Sequence, residues 1–163
     1  ATHDTLTGAY TRRVVLSACA DELARWSRYG KPFSLLIFDL DHFKRINDAH
    51  GHPVGDLVIR HFADLCRSDL RDIDVIARIG GEEFAILLIG SALGPAVEVA
   101  ERIRRQVESS AVPGSGDSVV SFTVSIGVAQ LQADADNADL FGDADSALYA
   151  AKRSGRNRVM ASS

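Results

Sequence analysis

The sequence predicts a single α/β domain over residues 1–163: a mixed sheet with surrounding helices, in a ferredoxin-like or palm-like layout. Three observations predict it. Phe33–Phe38 is an almost unbroken apolar run of strand length, the pattern of a central strand covered on both faces. Asp74–Ile79 and Phe84–Ile89 are β-prone runs separated only by Gly80-Gly81-Glu82-Glu83, which reads as a hairpin. Between these runs, apolar residues recur at the three- and four-residue spacing of helices with one buried side.

Taken in order, Val15, Cys19, Leu23 and Trp26 stripe a helix from Arg13 to Tyr29, which Gly30-Lys31-Pro32 ends. The apolar strand then stops at Asp39. His42 to Ala49 is a polar helix, and Gly51-His52-Pro53-Val54-Gly55-Asp56 breaks the chain before a helix from Leu57 to Leu70 carrying Val58, Phe62, Leu65 and Cys66. After the hairpin, Val97, Ala100, Ile103 and Val107 mark another amphipathic helix, followed by a loop from Pro113 to Ser118. Val119 to Leu131 is strand-like, with Gly127 as a bulge. A last helix runs from Asp143 to Ser154 with Gly155 capping it, and Arg158–Met160 is a short closing strand. The helices are expected mainly on one face of the sheet.

Composition narrows the function. The net charge of -4 argues against broad binding to duplex DNA, which needs a basic face to displace counterions. A local cationic phosphate site remains compatible with it. No apolar window is long enough to span a bilayer. Cys19 and Cys66 have no ligand-like partner spacing and read as free thiols in a reducing, cytoplasmic setting. The chain opens at Ala1 without a signal pattern and reaches a motif within a few residues, which is the expectation for a module excised from a longer protein with an N-terminal regulatory region.

Asp39 and Asp41 flank the exit of the buried strand, where paired carboxylates suit hard divalent cations. The same pair fits helix capping. It also fits the strand-terminal DxD of a haloacid-dehalogenase-type phosphatase, although His42-Phe43 replaces the small residue and Thr or Val such a site uses. Glu82 and Glu83 favour a metal site: two acids in succession after Gly-Gly, between apolar strands, are poorly explained as a solvated tip. Strand alternation sends their side chains apart, so they have different tasks. If the hairpin lies beside the strand ending at Asp39, Glu82 can share a metal with Asp39.

The ordered motifs resemble the GGDEF domain of diguanylate cyclases along almost the whole chain. Asp4-Thr5-Leu6-Thr7-Gly8-Ala9-Tyr10-Thr11-Arg12-Arg13 is similar to the family's opening DxLTGxxNRR, with Thr11 in place of the usual Asn. Asp39–Asp48 matches DxDxFKxxND, Gly51–Asp56 matches GHxxGD, and Gly80-Gly81-Glu82-Glu83-Phe84 is the Glu form of the signature, preceded by Ile79 where an aromatic is frequent. Thr123–Val128 and Ala151–Asn157 complete the set.

That resemblance implies a nucleotide-cyclase palm that condenses two GTP into cyclic di-GMP, as a homodimer and with Mg²⁺ or Mn²⁺. Asp39 and Glu82 would hold the metal with the Leu40 carbonyl, Asp41 would be structural, and Glu83 would have a catalytic role. The main-chain amides of His42, Phe43 and Lys44, with Lys152 and Arg156, would bind the phosphates. Asn47 and Asp56 would read guanine: a carboxylate accepts from guanine N1–H and its exocyclic amine, whereas adenine presents an acceptor at N1. Arg71-Asp72-Ile73-Asp74 resembles the RxxD site for inhibitory product, with Arg71 and Asp74 as ligands and Arg102 as a second-site partner. The alternative is a catalytically silent GGDEF module that binds GTP or cyclic di-GMP as a receptor.

Overall fold

In the computed structural model, which describes residues 1–131 and 139–162, the chain folds around one mixed sheet. The elements are β1 (Tyr10–Thr11), α1 (Arg12–Tyr29), β2 (Phe33–Leu40), α2 (Phe43–His50), α3 (His52–Ser68), β3 (Val75–Arg78) and β4 (Glu83–Ile89). They continue with α4 (Leu93–Glu108), β5 (Val112–Pro113), β6 (Val119–Val120), β7 (Val124–Gln130), α5 (Leu140–Arg153) and β8 (Val159–Ala161). The main sheet has the order β1-β3-β4-β2-β7-β8, and β5 and β6 form a separate ribbon. β2, the apolar run, lies between β4 and β7, antiparallel to both, and every one of its residues is buried.

Alternation along β2 divides the interior into two cores. Leu36, Phe38 and Leu40 face α3 and α4, where Phe62 meets Phe38 at 5.5 Å and Phe84 at 5.0 Å between ring centroids. Phe33, Leu35 and Ile37 face the other way, onto Val15 of α1 and Ala144 and Leu148 of α5. Helices therefore cover both faces. The expectation of packing mainly on one face fails because β2 and β4 each present an apolar row to both sides, and an uncovered row would face water.

Three local details differ from the sequence expectations. α3 begins at His52, since Pro53 fits a first helical turn and only Gly51, at φ 89°, interrupts the chain. The strand expected over Val119–Leu131 divides into β6 and β7. The last helix starts at Leu140, because Asp139 caps it by accepting a bond from the Gly142 amide at 2.9 Å.

Gly127 is not a bulge, for the β2–β7 register runs through it unbroken. It is where α5 crosses the sheet most closely: a Cβ there would strike the Ala144 carbonyl oxygen and Leu148 amide nitrogen and lie 2.9 Å from Leu148 Cα. These are backbone atoms with nowhere to move. Gly127→Ala should therefore destabilise the fold by about 1–3 kcal/mol, read as a lower urea midpoint with unchanged slope.

Candidate active site

Strand parity sets two carboxylates on one face of the sheet. Asp39 follows Leu35 and Ile37 on the face covered by α5, and Glu83 precedes Ala85 and Leu87 on that same face. The β2–β4 register sets Asp39 directly across from Glu83. Two like charges in facing positions repel. Burial is the first cause that raises the Glu83 pKa above the usual carboxylate range, and the charges of Asp39, Asp145 and Glu82 add to it while Lys152 opposes them.

α5 supplies the counter-charge. Lys152, in its last turn, donates a charge-assisted hydrogen bond to Asp39 Oδ2. Glu82 lies in the tip between β3 and β4, where its carbonyl accepts from the Leu40 amide at 3.2 Å. Its carboxylate has no hydrogen-bond partner among the described residues. The sequence expectation pairs Glu82 with Asp39 as metal ligands; the register sets Glu83 directly across from Asp39, with Glu82 one residue nearer the tip. A tip residue precedes the first strand pair, so its direction follows from pairing rather than from its place in the motif.

The tip itself is braced by Arg78. Its guanidinium donates to the Gly81 carbonyl at 3.1 and 2.8 Å and to Asp4 at 3.2 and 3.4 Å. Burial works against charge on Asp4, but bonds from the Thr7 hydroxyl and amide and the Arg78 charge outweigh it and hold the carboxyl below its ordinary range. The opening Asp4-Thr5-Leu6-Thr7 segment thus connects mechanically to the hairpin. Sequence reasoning gave Arg78 no task, although it stands two residues before the signature.

Asp41 is structural. Its oxygens accept from the Thr123 and Ser125 hydroxyls, both at 2.7 Å, and from the Asn157 amide at 3.0 Å, and it is only 5% exposed. This ties the end of β2 to β7 and to the turn after α5. His42 then adopts a left-handed conformation at φ 55° that turns the chain into α2. The amides of His42, Phe43 and Lys44 have no acceptor among the described residues, leaving a row of donors at a helix start. The Lys44 side chain is exposed, 3.9 Å from Asp48.

Asn47 projects from α2 onto Gly55 of α3. A Cβ at Gly55 would collide with Asn47 Oδ1 and come within 3.0 Å of its Cγ and 3.1 Å of Phe43 Cζ. Asn47 Oδ1 is buried without a hydrogen-bond partner among the described residues, and Asp56 stands exposed one residue after Gly55. Arg156, at φ 63° in the turn after α5, is exposed and makes no side-chain contact with Asp39, unlike Lys152.

The chain matches the family described as "Diguanylate cyclase, GGDEF domain" over residues 1–158. It belongs to the GGDEF diguanylate cyclase family. It is 40% identical over 159 residues to the response regulator PleD of Caulobacter vibrioides, with 96% of this chain and 35% of that protein covered. It is 38% identical over 156 residues to the diguanylate cyclase DosC of Escherichia coli, covering 96% and 34%. The chain thus spans about a third of the length of these relatives. Among solved structures, the GGDEF domain of DgcB from Caulobacter crescentus in complex with c-di-GMP superposes with a TM-score of 0.94 at 35% identity, covering 99% of this chain and 96% of that one. The active GGEEF domain of a diguanylate cyclase from Vibrio cholerae gives 0.84 at 35% identity, covering 94% and 97%.

Away from the GGDEF hairpin, Arg71 and Asp74 form their own unit. Arg71 Nε and Nη2 fork onto Asp74 at 3.1 and 2.8 Å, and Nη2 also reaches the Ile89 carbonyl at 2.7 Å. Arg71 lines a cleft of about 530 Å³ with Arg25, Tyr29, Lys31 and Ile73. Arg102 is not brought to that cleft; it pairs with Asp69 at 3.0 Å. Among the described residues no helix is long and apolar enough to cross a membrane.

Proposed function

We propose that this GGDEF domain condenses two GTP into cyclic di-GMP with release of two pyrophosphates, each domain presenting one GTP. The observation that carries the reading is the facing pair Asp39 and Glu83 beside the Glu82 tip, with Lys152 balancing their charge. No three His, Cys, Asp or Glu side chains are grouped as a ready metal site among the described residues. The donor chemistry still fits a hard divalent ion, since crowded oxygen ligands that repel one another are relieved by Mg²⁺ or Mn²⁺. Asp39 and Glu83 would hold it with the Leu40 carbonyl, and Glu82 would approach the reacting oxygen from the tip. Bound there, the ion would offset phosphate charge and acidify the attacking 3′-hydroxyl.

The chain's own groups handle the rest. Lys152 exchanges Asp39 for a phosphate when substrate arrives, joined by Arg156 and the amides of His42, Phe43 and Lys44. The unpartnered Asn47 oxygen and the Asp56 carboxylate accept from the guanine edge. The 3′-oxygen of one GTP attacks the α-phosphorus of the other, pyrophosphate departs, and the step repeats in the opposite sense, so two domains meet as a homodimer.

Incubation with Mg²⁺ and GTP, with ATP in parallel, tests the reading: GTP should give cyclic di-GMP and ATP nothing, and equal use of ATP would contradict it. Gly55→Ala should displace Asn47 and weaken GTP binding roughly tenfold through the lost buried hydrogen bond, read as a raised KM. The forked Arg71–Asp74 pair supports product inhibition at the RxxD segment. Arg71→Ala should then raise the inhibitory cyclic di-GMP concentration by about tenfold or more; unchanged inhibition would remove Arg71 from that role.

A further inference from the structure

One side of α5 is used by the fold and the site, and the other is not. Ala144, Ala147, Leu148 and Ala151 are buried against the sheet. On the outer side Asp145, Tyr149 and Arg153 are exposed and follow each other at four-residue intervals, forming a ridge about 12 Å long of the kind that packs into a neighbouring helix. Tyr149 is 61% exposed. Arg153 lies over its ring with Cζ 5.7 Å from the centroid and donates to its hydroxyl at 3.3 Å. A Tyr149–Arg153 contact already made in the single chain leaves less side-chain freedom to lose on docking.

Its sequence of charges reads acid, aromatic, base. Placed antiparallel to itself about a twofold axis through Tyr149, it sets Asp145 opposite the second copy's Arg153 and the reverse, the self-complementarity an isologous contact requires. Exposed Tyr and Arg are also the residues that most often dominate interface energy. The ridge adjoins the site: Lys152, next to Arg153, bonds Asp39, and the charge of Asp145 reaches Glu83.

From this we infer that the Asp145–Tyr149–Arg153 ridge of α5 is the surface on which a second copy of this chain docks to bring two GTP-bearing sites together. The inference rests on the two-domain reaction proposed above. Asp145→Arg and Arg153→Asp should each lower cyclic di-GMP formation about tenfold or more at dilute protein, while each variant still binds one GTP per domain. An equimolar mixture of the two should recover activity, because every facing pair in the mixed dimer is again opposite in charge. Singles that retain full activity, or a mixture no better than its components, would overturn the inference. A second readout needs no turnover: Tyr149→Cys should form an intermolecular disulfide under mild oxidation with a non-hydrolysable GTP analogue, whereas Glu98→Cys on α4 should not. If the unaltered chain makes no cyclic di-GMP, the cyclase reading fails and this cross-link alone decides the contact, its absence counting against the ridge.

Discussion

Glu82→Gln is expected to slow cyclic di-GMP formation by about 10²–10⁴-fold, the scale of a lost proton-transfer group, with divalent-metal affinity nearly unchanged. Glu83→Gln should also lose activity, but through the metal, with affinity for Mn²⁺ lowered by at least about tenfold. The two adjacent residues separate in this way because Glu83 faces Asp39 across the β2–β4 ladder and Glu82 sits on the tip. The stability effect has a definite sign. A carboxyl whose folded pKa is raised stabilises the fold in its protonated form, at low pH, and that contribution is lost as pH rises through the raised value. Ionised Glu83, crowded by burial and by Asp39, thus weighs against the fold at neutral pH. Glu83→Gln should melt at a higher temperature than the unaltered chain in the absence of metal. Calorimetry with and without Mn²⁺, beside turnover, reads all three effects; equal losses of metal affinity in both variants would contradict the division of roles.

The second large effect concerns stability rather than chemistry. Asp41→Ala would leave the Thr123 and Ser125 hydroxyls and the Asn157 amide without their acceptor in a buried setting. Unpaired buried donors cost about 1–3 kcal/mol each, and the hydroxyls can partly reorient, so a loss of about 3 kcal/mol follows. For a chain of this size that lowers the melting temperature by about 6–12 °C. Asp39→Ala should do the reverse, abolishing product formation while changing stability little, since among the described residues the Asp39 side chain has only the Lys152 bond to lose. A thermal melt on both variants distinguishes the two acids, which strand spacing alone does not separate and which only the family resemblance assigned to different roles.

That contrast marks how far the sequence could be read. The β2 run and the Gly-Gly hairpin were legible because apolar continuity and turn chemistry are local properties, and the motif order along the chain pointed to the GGDEF family. The helix containing Asn47 and the contact segment around Gly55 were likewise recognisable from polar periodicity and motif. What stayed hidden depends on pairing between distant segments. The face that Glu83 takes is set by the partner strand, and the Lys152–Asp39 bond joins residues 113 positions apart. Gly127 looked like a bulge since a strand glycine has two common causes, and only the crossing of α5 selects the second. The role of Arg78 was missed for the same reason, as its partner Asp4 lies 74 residues earlier. An arginine two residues before a glycine-rich tip was the available signal.

The most direct test of the central claim follows the α-phosphate. GTP labelled there should yield labelled cyclic di-GMP and two pyrophosphates per product molecule in the presence of Mg²⁺, and Glu82→Ala should yield neither. Labelled GMP as the product, or bound GTP that is never converted even at high protein concentration, would contradict the reading of this GGDEF domain as a cyclase.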